Sequence, residues 1–388
     1  MHAAIPLRLA LFYAATFVVF GVQVPFWPVW LSARGLSAAE IGALLAIGQW
    51  VRAAAIPFAG IAADRTGDSR RIMLVVSIGA AVGFLLCLPA QGFAALLVLN
   101  AATGACLSAL GPLGDNVALT AAYAGRLDYG RVRLWGSLSF ILTSVLTGWL
   151  LDGRGGDIVV HLLIAGAALT FASCLALPSG GPAVRRAEQS GWRVLLTPRF
   201  LAFLGAAALV QGSHSVFYVF SALHWRSLGL ADTTVALLWS EGVVAEIVLF
   251  FWGVPLLRRV GPLGLIALGG GAGLVRWTVT AFTASVPVLA LAQLLHAFTF
   301  AGAYLGAMHH LARTVPAERA ATGQAVYATV TGTISPALML LAGSLYESVG
   351  GLAYLAMAAI AAGGAAVALG LAGATSWGVD PPGGRADG

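Results

Sequence analysis

The sequence predicts an all-α integral membrane protein of twelve transmembrane helices, arranged as two bundles of six. Three observations support this fold class: little charge, apolar runs of membrane-spanning length throughout the chain, and a polar segment that separates six runs from six. Of the 388 residues, 59% are hydrophobic and only 9% are charged, whereas a soluble domain carries about 25% charged residues. Most of the surface is therefore expected to face lipid.

The apolar runs are long enough to cross a bilayer, which takes about 20 helical residues. They predict spans at residues 9–31, 41–62, 72–90, 93–121, 134–151, 158–177, 200–223, 233–256, 263–283, 286–312, 322–346 and 351–373. The first run is too long for a signal-peptide core, so we expect it to be retained. We divide the chain into a first bundle, a cytoplasmic linker, a second bundle and a cytoplasmic tail, at residues 1–178, 179–198, 199–376 and 377–388.

The arginines predict the orientation of the chain in the inner membrane. The sequence has 21 Arg and no Lys. With the N-terminus in the cytoplasm, most of these arginines fall in cytoplasmic segments, a few fall in outer loops, and Arg52 and Arg276 fall inside spans. Because positive charge accumulates on the cytoplasmic side, we expect both termini to be cytoplasmic. The net positive charge then reflects the orientation of the chain in the membrane, and we expect no nucleic-acid partner.

No cofactor or metal site is expected from the sequence. The three cysteines lie inside apolar runs, where they resemble small core residues more than a disulfide framework. A glycine run at residues 269–273 lies in an apolar helix and does not follow a strand, so it is not a phosphate loop. No His, Cys or carboxylate spacing is typical of a metal site.

The loop after the second span resembles the signature of the major facilitator superfamily. The matching residues are Gly60, Asp64, Arg65, Gly67, Arg70 and Arg71. A degraded copy follows the eighth span, at residues 253–261. The resemblance implies a conformational latch, in which charges and a helix terminus hold neighbouring helices in one state. The alternative is a plain cytoplasmic loop with positive charge.

Further segments resemble the phenylpropionate permease branch of that superfamily, which is similar to the lactose and nucleoside proton symporters. The segments that carry this resemblance are Asp128-Tyr-Gly-Arg131-Val-Arg133-Leu-Trp135, Gln211-Gly-Ser-His214, Leu238-Trp239-Ser-Glu-Gly-Val-Val-Ala-Glu246, Val275-Arg276-Trp277 and Leu295-His296. The resemblance implies the major facilitator fold and proton-coupled uptake of a small aromatic carboxylate such as 3-phenylpropionate, by a monomer. The alternatives are a nucleoside or sugar symporter, a membrane enzyme, and a sensor that binds without transport.

Ionisable side chains deep in the predicted spans are functional candidates, because an unpaired charge in the bilayer is costly. We assign Glu246, Arg276, His296 and Asp115 to proton coupling. Glu246 is the expected proton carrier, with Arg276 on the next helix as the cation that it gains and loses. The alternative is a static ion pair that holds the two helices together.

Arg52 is the expected anion-binding residue of the first half, since its planar fork suits a carboxylate. Gln49 lies three residues earlier and thus on the same helix face. A permanent charge at this depth needs a partner. The sequence leaves two possibilities open, the substrate carboxylate or Asp115.

Three later spans each carry a polar face, which suggests a shared water-filled cavity. Gln211, His214 and Tyr218 lie on the seventh span, Gln293 on the tenth, and Gln324 on the eleventh, and we expect all five to contact substrate. Trp239 is a further candidate, as an aromatic wall for a phenyl ring. The alternatives are helix–helix hydrogen bonds for the polar faces and an interfacial position for the tryptophan.

Overall fold

The computed structural model describes residues 4–179, 197–316 and 319–376, and within these ranges it contains helices and no strand. The first half comprises α1 (Ala4–Ala33), α2 (Ala38–Thr66), α3 (Ser69–Cys87), α4 (Phe93–Tyr123), α5 (Tyr129–Leu151) and α6 (Ile158–Ala176). The second half comprises α7 (Pro198–Gly212), α8 (Ser215–Ser227), α9 (Asp232–Phe282), α10 (Val286–Leu294), a π-helical turn (Ala297–Gly302), α11 (Ala303–Thr314), α12 (Ala320–Val349), a 3₁₀ turn (Gly350–Leu352) and α13 (Ala353–Ser376).

Ten helical segments of the described chain are long and apolar enough to cross a membrane. Two of them have 51 and 52 residues, more than twice the length of about 20 residues that one crossing needs. Each of these two contains a break, at Gly261 and at the 3₁₀ turn. The described segments are therefore consistent with the twelve predicted crossings.

The eighth and ninth spans are joined by a kink, where the sequence suggested a short loop. Gly261 has φ 73° and ψ 170°, and the helix resumes at Pro262. A positive φ is strained for a residue with a Cβ, so glycine suits this position. Proline suits the next one, because the first turn of a helix leaves its N–H unpaired in any case.

Two spans predicted as continuous helices are interrupted near the middle. The seventh is divided into α7 and α8 at Ser213 and His214. The tenth passes through the π-helical turn between α10 and α11. Such turns are frequent at functional sites because they redirect side chains without ending the helix.

The predicted linker and tail fall largely on residues 180–196 and 377–388, which lie outside the described residues. Within the first half, α1 packs on α5 and α6, and α4 packs on α2 and α3. Within the second half, α13 packs on α7 and α9. The two halves meet mainly where α2 packs on α12 and α5 packs on α9.

At one end of the bundle the two halves are held together by a matched pair of carboxylates. Asp152, after α5, accepts hydrogen bonds from the backbone N–H groups of Asp232 (2.7 Å) and Thr233 (3.3 Å) and from the Thr233 hydroxyl (2.5 Å). Glu347, on α12, accepts from the N–H of Ala39 at 2.9 Å. Each carboxylate thus caps the N-terminus of a helix in the other half, where the helix dipole favours negative charge.

We name this end, where α1, α3 and α5 terminate, the arginine-poor end, and the opposite end the arginine-rich end. Close backbone contact reinforces the closure at the arginine-poor end. A Cβ added at Gly42 of α2 would lie 2.7 Å from the Gly343 Cα of α12, and one added at Gly148 of α5 would lie 2.5 Å from the Asp232 carbonyl oxygen. The absence of side chains at these glycines lets the helices approach.

A further carboxylate at the arginine-poor end connects α1 to α6 within the first half. Asp157 accepts from the Trp30 indole at 3.0 Å and pairs with the Arg34 guanidinium at 2.8 Å. The indole hydrogen bond, and then the guanidinium, hold the pKa of the Asp157 carboxyl below its usual range. This contact fixes the first helix within its own half.

Candidate functional site

Two adjoining cavities lie between the halves. The larger has a volume of about 720 Å³ and the smaller about 220 Å³. Both are lined by residues of the first half and of the second half, and the two share Gln49, Arg52, Tyr218 and Met339 as common walls. A cavity between halves near the middle of the membrane is the usual location of a substrate site in transporters built from two repeats.

The larger cavity is open toward the arginine-rich end. At its deep end it is lined by the buried Met339, and toward the arginine-rich end by the exposed Gln324 and Ala328. The carboxylate caps close the other end. This conformation therefore connects the site to the side of the membrane that the arginine distribution predicts to be cytoplasmic.

Arg52 lies where the two cavities meet. Its Nε is buried and has no hydrogen-bond partner among the described residues, and the described ion pairs do not include Arg52. The side chain packs on Gly104 of α4, where a Cβ would lie 2.6 Å from Nε. The planar fork of an unpaired guanidinium at a cavity wall has the geometry to accept a carboxylate.

Asp115 is not the partner of Arg52. Its Oδ1 accepts from the hydroxyls of Tyr13 (2.6 Å) and Tyr129 (3.1 Å). These two phenols satisfy the carboxylate within the first half, so one of the two partners left open by the sequence is removed. The sequence pattern could not decide this, because spacing along one helix does not fix the contacts to another.

In the second half, Arg276 is fully buried and is the centre of a polar network. Its Nη1 donates to His296 Nδ1 (2.9 Å) and to Thr299 Oγ1 (3.1 Å), and its Nη2 donates to Gln293 Oε1 (2.5 Å). The guanidinium carbon lies 4.6 Å from the ring centroid of Phe217 and 4.4 Å from that of Trp277. Hydrogen bonds at the two Nη atoms and the aromatic faces thus replace part of the water that this charge has lost, while its Nε has no hydrogen-bond partner among the described residues.

The expected direct pair between Glu246 and Arg276 is not formed in this structure. His296 lies between them, with its Nε2 3.7 Å from Glu246 Oε2. Arginine has no acceptor, so His296 Nδ1 must accept from Arg276, and a neutral ring then carries its proton on Nε2. That proton faces the Glu246 carboxylate, which is 22% exposed.

Arg133 of α5 is a second cation near Glu246. It interacts electrostatically with that carboxylate from the other half, and its guanidinium carbon lies 4.3 Å from the Phe17 ring centroid. The sequence placed Arg133 among the topology signals of the cytoplasmic loops. Its position at the start of α5, facing α1, is decided by tertiary packing.

Several predicted cavity residues do line the larger cavity. Gln49, Gln211, Tyr218 and Gln324 belong to its walls. On the eleventh span, the polar side chains that line the larger cavity are Gln324, Tyr327, Thr331 and Ser335.

Three predicted substrate contacts lie outside both cavities. His214 is fully buried and bonds Thr299 Oγ1 at 3.0 Å, and Gln293 is fully buried against Arg276. Trp239 stacks on Phe217, with ring centroids 4.5 Å apart, and donates to Ser221 at 3.1 Å. For His214 and Gln293, the helix–helix alternative describes the structure, whereas Trp239 is buried within the second half and matches neither a cavity wall nor an interfacial position. A polar stripe identifies a face of a helix and leaves open what that face contacts.

The structure also adds residues that the sequence analysis did not select. Gln23 of α1 lines the smaller cavity, and so does Asn100, which accepts from the Trp27 indole at 3.0 Å and donates to the Leu44 carbonyl at 3.1 Å. The available signal was a single amide in an otherwise apolar run. Within the described residues, no cluster of three or more His, Cys, Asp or Glu fit to hold a metal is found.

The loop after α2 makes one of the contacts expected of a latch. Gly67 ends α2 with φ 63°, and Asp68 caps α3. Arg70 donates to the carbonyls of Cys174 (3.2 Å) and Leu175 (2.6 Å) at the end of α6, where the helix dipole favours a cation. Asp64, Arg65 and Arg71 are exposed, and the ion pairs of the described chain include none of them, while Gly60 has open space around it.

Comparison with known proteins agrees with this architecture. The MFS_1 like family matches residues 6–356. The chain is 34% identical to the "Probable 3-phenylpropionic acid transporter" of Escherichia coli (strain K12), over 91% of this chain and 94% of that one. It is 27% identical to the maltose permease of Geobacillus stearothermophilus, over 82% of each chain. A point mutant of the nucleoside transporter NupG, at 16% identity, has the same fold with a TM-score of 0.83, over 95% of this chain and 99% of that one.

Proposed function

Since the chain belongs to the major facilitator superfamily, in its phenylpropionate permease branch, we propose that it carries out proton-coupled uptake of a small aromatic carboxylate such as 3-phenylpropionate. The chain is a multi-pass membrane transporter of a small molecule, and its relatives are transporters and not enzymes. The membrane enzyme that the sequence left open is thereby set aside.

The observation that carries the proposal is the unpaired guanidinium of Arg52 at the junction of the two cavities. A half-buried arginine without an acid partner is costly within the membrane, and a substrate carboxylate would reduce that cost each time it binds. The apolar walls around this charge suit an aromatic body. The name of the Escherichia coli relative, a probable 3-phenylpropionic acid transporter, agrees with this substrate class.

Proton coupling is assigned to the chain Glu246–His296–Arg276, with Asp115 and its two tyrosines as a secondary polar site. A carboxyl that faces a histidine N–H in one conformation and loses it in another changes its proton affinity between the two states. Glu246 would then load a proton in the outward-open state and release it to the cytoplasm in the conformation described here. Neutralised Glu246 no longer attracts Arg133 of the other half, so the halves can move relative to one another.

The transport cycle follows from the two ends of the molecule. Substrate enters when the carboxylate caps at Asp152 and Glu347 part, and it leaves through the larger cavity when they close. In the opposite state, the loop of Gly60, Asp64, Arg65, Gly67, Arg70 and Arg71 serves as the latch that holds the cytoplasmic end shut. We propose that the protein acts as a monomer in the inner membrane, with both termini in the cytoplasm.

The test is uptake by proteoliposomes with an acid-outside pH jump. Radiolabelled 3-phenylpropionate should accumulate above its outside concentration, and a protonophore should abolish that accumulation. Accumulation that is unaffected by the pH gradient would refute the proton coupling. Binding of the acid with no flux would indicate a sensor instead of a transporter.

The sugar and nucleoside alternatives are tested in the same vesicles. The maltose permease relative gives the sugar alternative its support, and the polar side chains of the larger cavity can hydrogen-bond hydroxyl groups. Excess maltose and excess uridine should each leave uptake of 3-phenylpropionate unchanged, whereas competition by either would shift the assignment to that substrate class.

A further inference from the structure

Two aromatic side chains in the wall of the larger cavity also contact the buried polar network of the second half. Phe300 is half-buried and lines this cavity. Its ring stacks on the imidazole of His296, with ring centroids 5.4 Å apart and an interplanar angle of 17°. Tyr218 is the second such residue, and its ring stacks on His214 with centroids 5.5 Å apart. Phe300 therefore joins the cavity to the network through His296.

Tyr304 provides a comparison within the same wall. It follows Phe300 by one helical turn, and its exposed side chain lines the same cavity. Its ring contacts that of Tyr327, with centroids 6.5 Å apart, and the ring contacts of the described residues include none between Tyr304 and His296. The two wall residues thus differ in whether they touch the network.

Phe300 and Arg52 lie at the same depth, in opposite halves, when depth is counted along their spans. Arg52 is the middle residue of the 29-residue span Ala38–Thr66, and Phe300 is the middle residue of the 29-residue span Val286–Thr314. Both line the larger cavity, whose volume is about 720 Å³, whereas one water molecule in the liquid occupies about 30 Å³. A substrate whose carboxylate binds Arg52 can therefore place its ring against Phe300.

Glu246 is the titratable group on the far side of His296. The groups of the described chain that interact with it are His296 at 3.7 Å, Arg133 from α5 and Tyr218 from α8. His296 is held in turn by Arg276, whose Nη1 donates to its Nδ1 at 2.9 Å. A displacement of His296 would take its Nε2 proton away from the Glu246 carboxylate. A carboxylate that loses such a donor holds a proton more tightly.

We infer that the aromatic ring of the substrate packs on Phe300 and that Phe300 passes this contact on to His296, so that substrate and proton bind cooperatively. This inference rests on the proposed function and names the residue that links its two ligands. Phe300 lies in the π-helical turn and His296 directly precedes that turn, so a shift of the turn moves both rings. Substrate pressing on Phe300 displaces His296 from Glu246, which then takes up a proton. Phe300 is thus a positioning residue, because it acts on Glu246 through His296.

The sign of the pH dependence follows from linkage. If substrate tightens proton binding, protonation must tighten substrate binding by the same factor. Affinity for 3-phenylpropionate should therefore fall as the pH rises from about 6 to about 8, a range in which the substrate carboxylate stays ionised. We expect a change of about tenfold, within the range of about 5- to 150-fold that is typical of coupled sites.

The test is calorimetry of 3-phenylpropionate binding to the purified protein in detergent, at both pH values and in two buffers of different ionisation enthalpy. The buffer comparison counts the protons taken up on binding. The wild type should take up protons, whereas Phe300→Leu should take up none, and its affinity should change less than about twofold with pH. Phe300→Tyr keeps an aromatic ring and should keep the pH dependence. Tyr304→Leu is the matched control and should keep it too.

A second ligand tests the inference on the wild type alone. Pentanoate has a carboxylate for Arg52 but no ring to press on Phe300. Its affinity, measured by displacement of radiolabelled 3-phenylpropionate, should be the same at both pH values.

The outcomes separate this inference from the proposed function. The inference is overturned if pH-dependent binding persists in Phe300→Leu, or if it is lost in Phe300→Tyr or in Tyr304→Leu. Binding of pentanoate that depends on pH also overturns it, and this measurement decides the question even if Phe300→Leu fails to fold. If the wild type binds 3-phenylpropionate equally at both pH values but still accumulates it with the pH gradient, the role of Phe300 is overturned and the proposed function stands. Absence of any binding of the acid overturns both.

Discussion

Two arginines within the membrane spans, the fully buried Arg276 and the half-buried Arg52, differ in how their charge is compensated. Arg276 is enclosed by His296, Thr299 and Gln293 and by two aromatic faces, so its charge is compensated by the protein. Both Nε atoms lack a hydrogen-bond partner among the described residues, but Arg52 has no set of partners at its other nitrogens and lines both cavities. The first arrangement leaves no room for a further anion, whereas the second is suited to binding an anion that comes and goes.

Replacing Arg52 by Gln should weaken binding of 3-phenylpropionate by ten- to a hundredfold. The reason is the loss of a charge-assisted hydrogen bond, worth about 1.5–3 kcal/mol. Isothermal titration of the purified variant measures the effect, and the neutral amide of the same acid is the matched ligand control. Equal losses for the acid and the amide would show that Arg52 does not contact the carboxylate.

Replacing Glu246 by Gln should abolish uphill uptake and spare exchange of internal for external substrate. Glutamine keeps the shape of the side chain but cannot release a proton, so the pH gradient no longer drives transport. The measurement is net uptake and counterflow in proteoliposomes. Glu241→Gln, five residues earlier on the same helix and outside the His296 contact, is the control and should keep uphill uptake. Wild-type accumulation by the Glu246 variant would remove this residue from the mechanism.

At the scale of helices, the contacts of the polar network and of the cavity walls depend on where regular helix geometry is broken. The break between α7 and α8 directs Gln211 and Tyr218 to the larger cavity while His214 faces the Arg276 network. The π-helical turn spans Thr299, which bonds both His214 and Arg276. Both interruptions therefore supply side chains to the same polar network, His214 from the first and Thr299 from the second.

The carboxylate caps should control the balance between outward-open and inward-open states. Asp152→Asn and Glu347→Gln each remove a negative charge from a helix N-terminus, at a cost of about 0.5–2 kcal/mol to the closed arginine-poor end. The double variant should therefore populate the outward-open state more than either single variant. Spin-label distances across that end, measured by double electron–electron resonance, report the shift.

A matched control for the caps is Asp157→Asn. Asp157 is also a carboxylate at the arginine-poor end, but it pairs with Trp30 and Arg34 of its own half. Its replacement should leave the distance between the halves unchanged. An unaltered distance in the Asp152 and Glu347 double variant would show that the glycine contacts alone hold this end closed.

At the scale of the whole molecule, the two closing contacts are related by the repeat of the halves. A residue after the fifth span caps the eighth, and a residue at the end of the eleventh caps the second. Each half therefore contributes a carboxylate that caps the N-terminus of a helix in the other half. A rocking motion that parts one contact parts its counterpart too, which makes closure of this end cooperative.

The orientation in the membrane can be tested through the open cavity. A cysteine at the exposed position of Ala328, in a background without the three native cysteines, should react with a membrane-impermeant maleimide only from the cytoplasmic side. A cysteine at Gly155, exposed in the loop after α5, should react only from outside. The reverse pattern, scored by gel shift in oriented vesicles, would invert the topology derived from the arginines.

The sequence by itself determined the architecture of this protein. A bilayer demands about 20 apolar residues per crossing and places positive charge on one side, so spans, halves and a predicted topology follow from local composition. It also identified Arg52, Glu246 and Arg276 as costly charges, because burial in lipid is implied by position within a span. These conclusions need no knowledge of which helix faces which.

Only the tertiary structure decided which of those groups meet. His296 lies between Glu246 and Arg276. Asp115 accepts hydrogen bonds from Tyr13 and Tyr129. The walls of the larger cavity do not include His214, Gln293 or Trp239. Gln23 lines the smaller cavity, and Asp152 caps the N-terminus of α9 in the other half. The periodicity of one helix gives the direction of a side chain relative to its own axis, whereas a contact depends on how two helices are rotated and packed against each other.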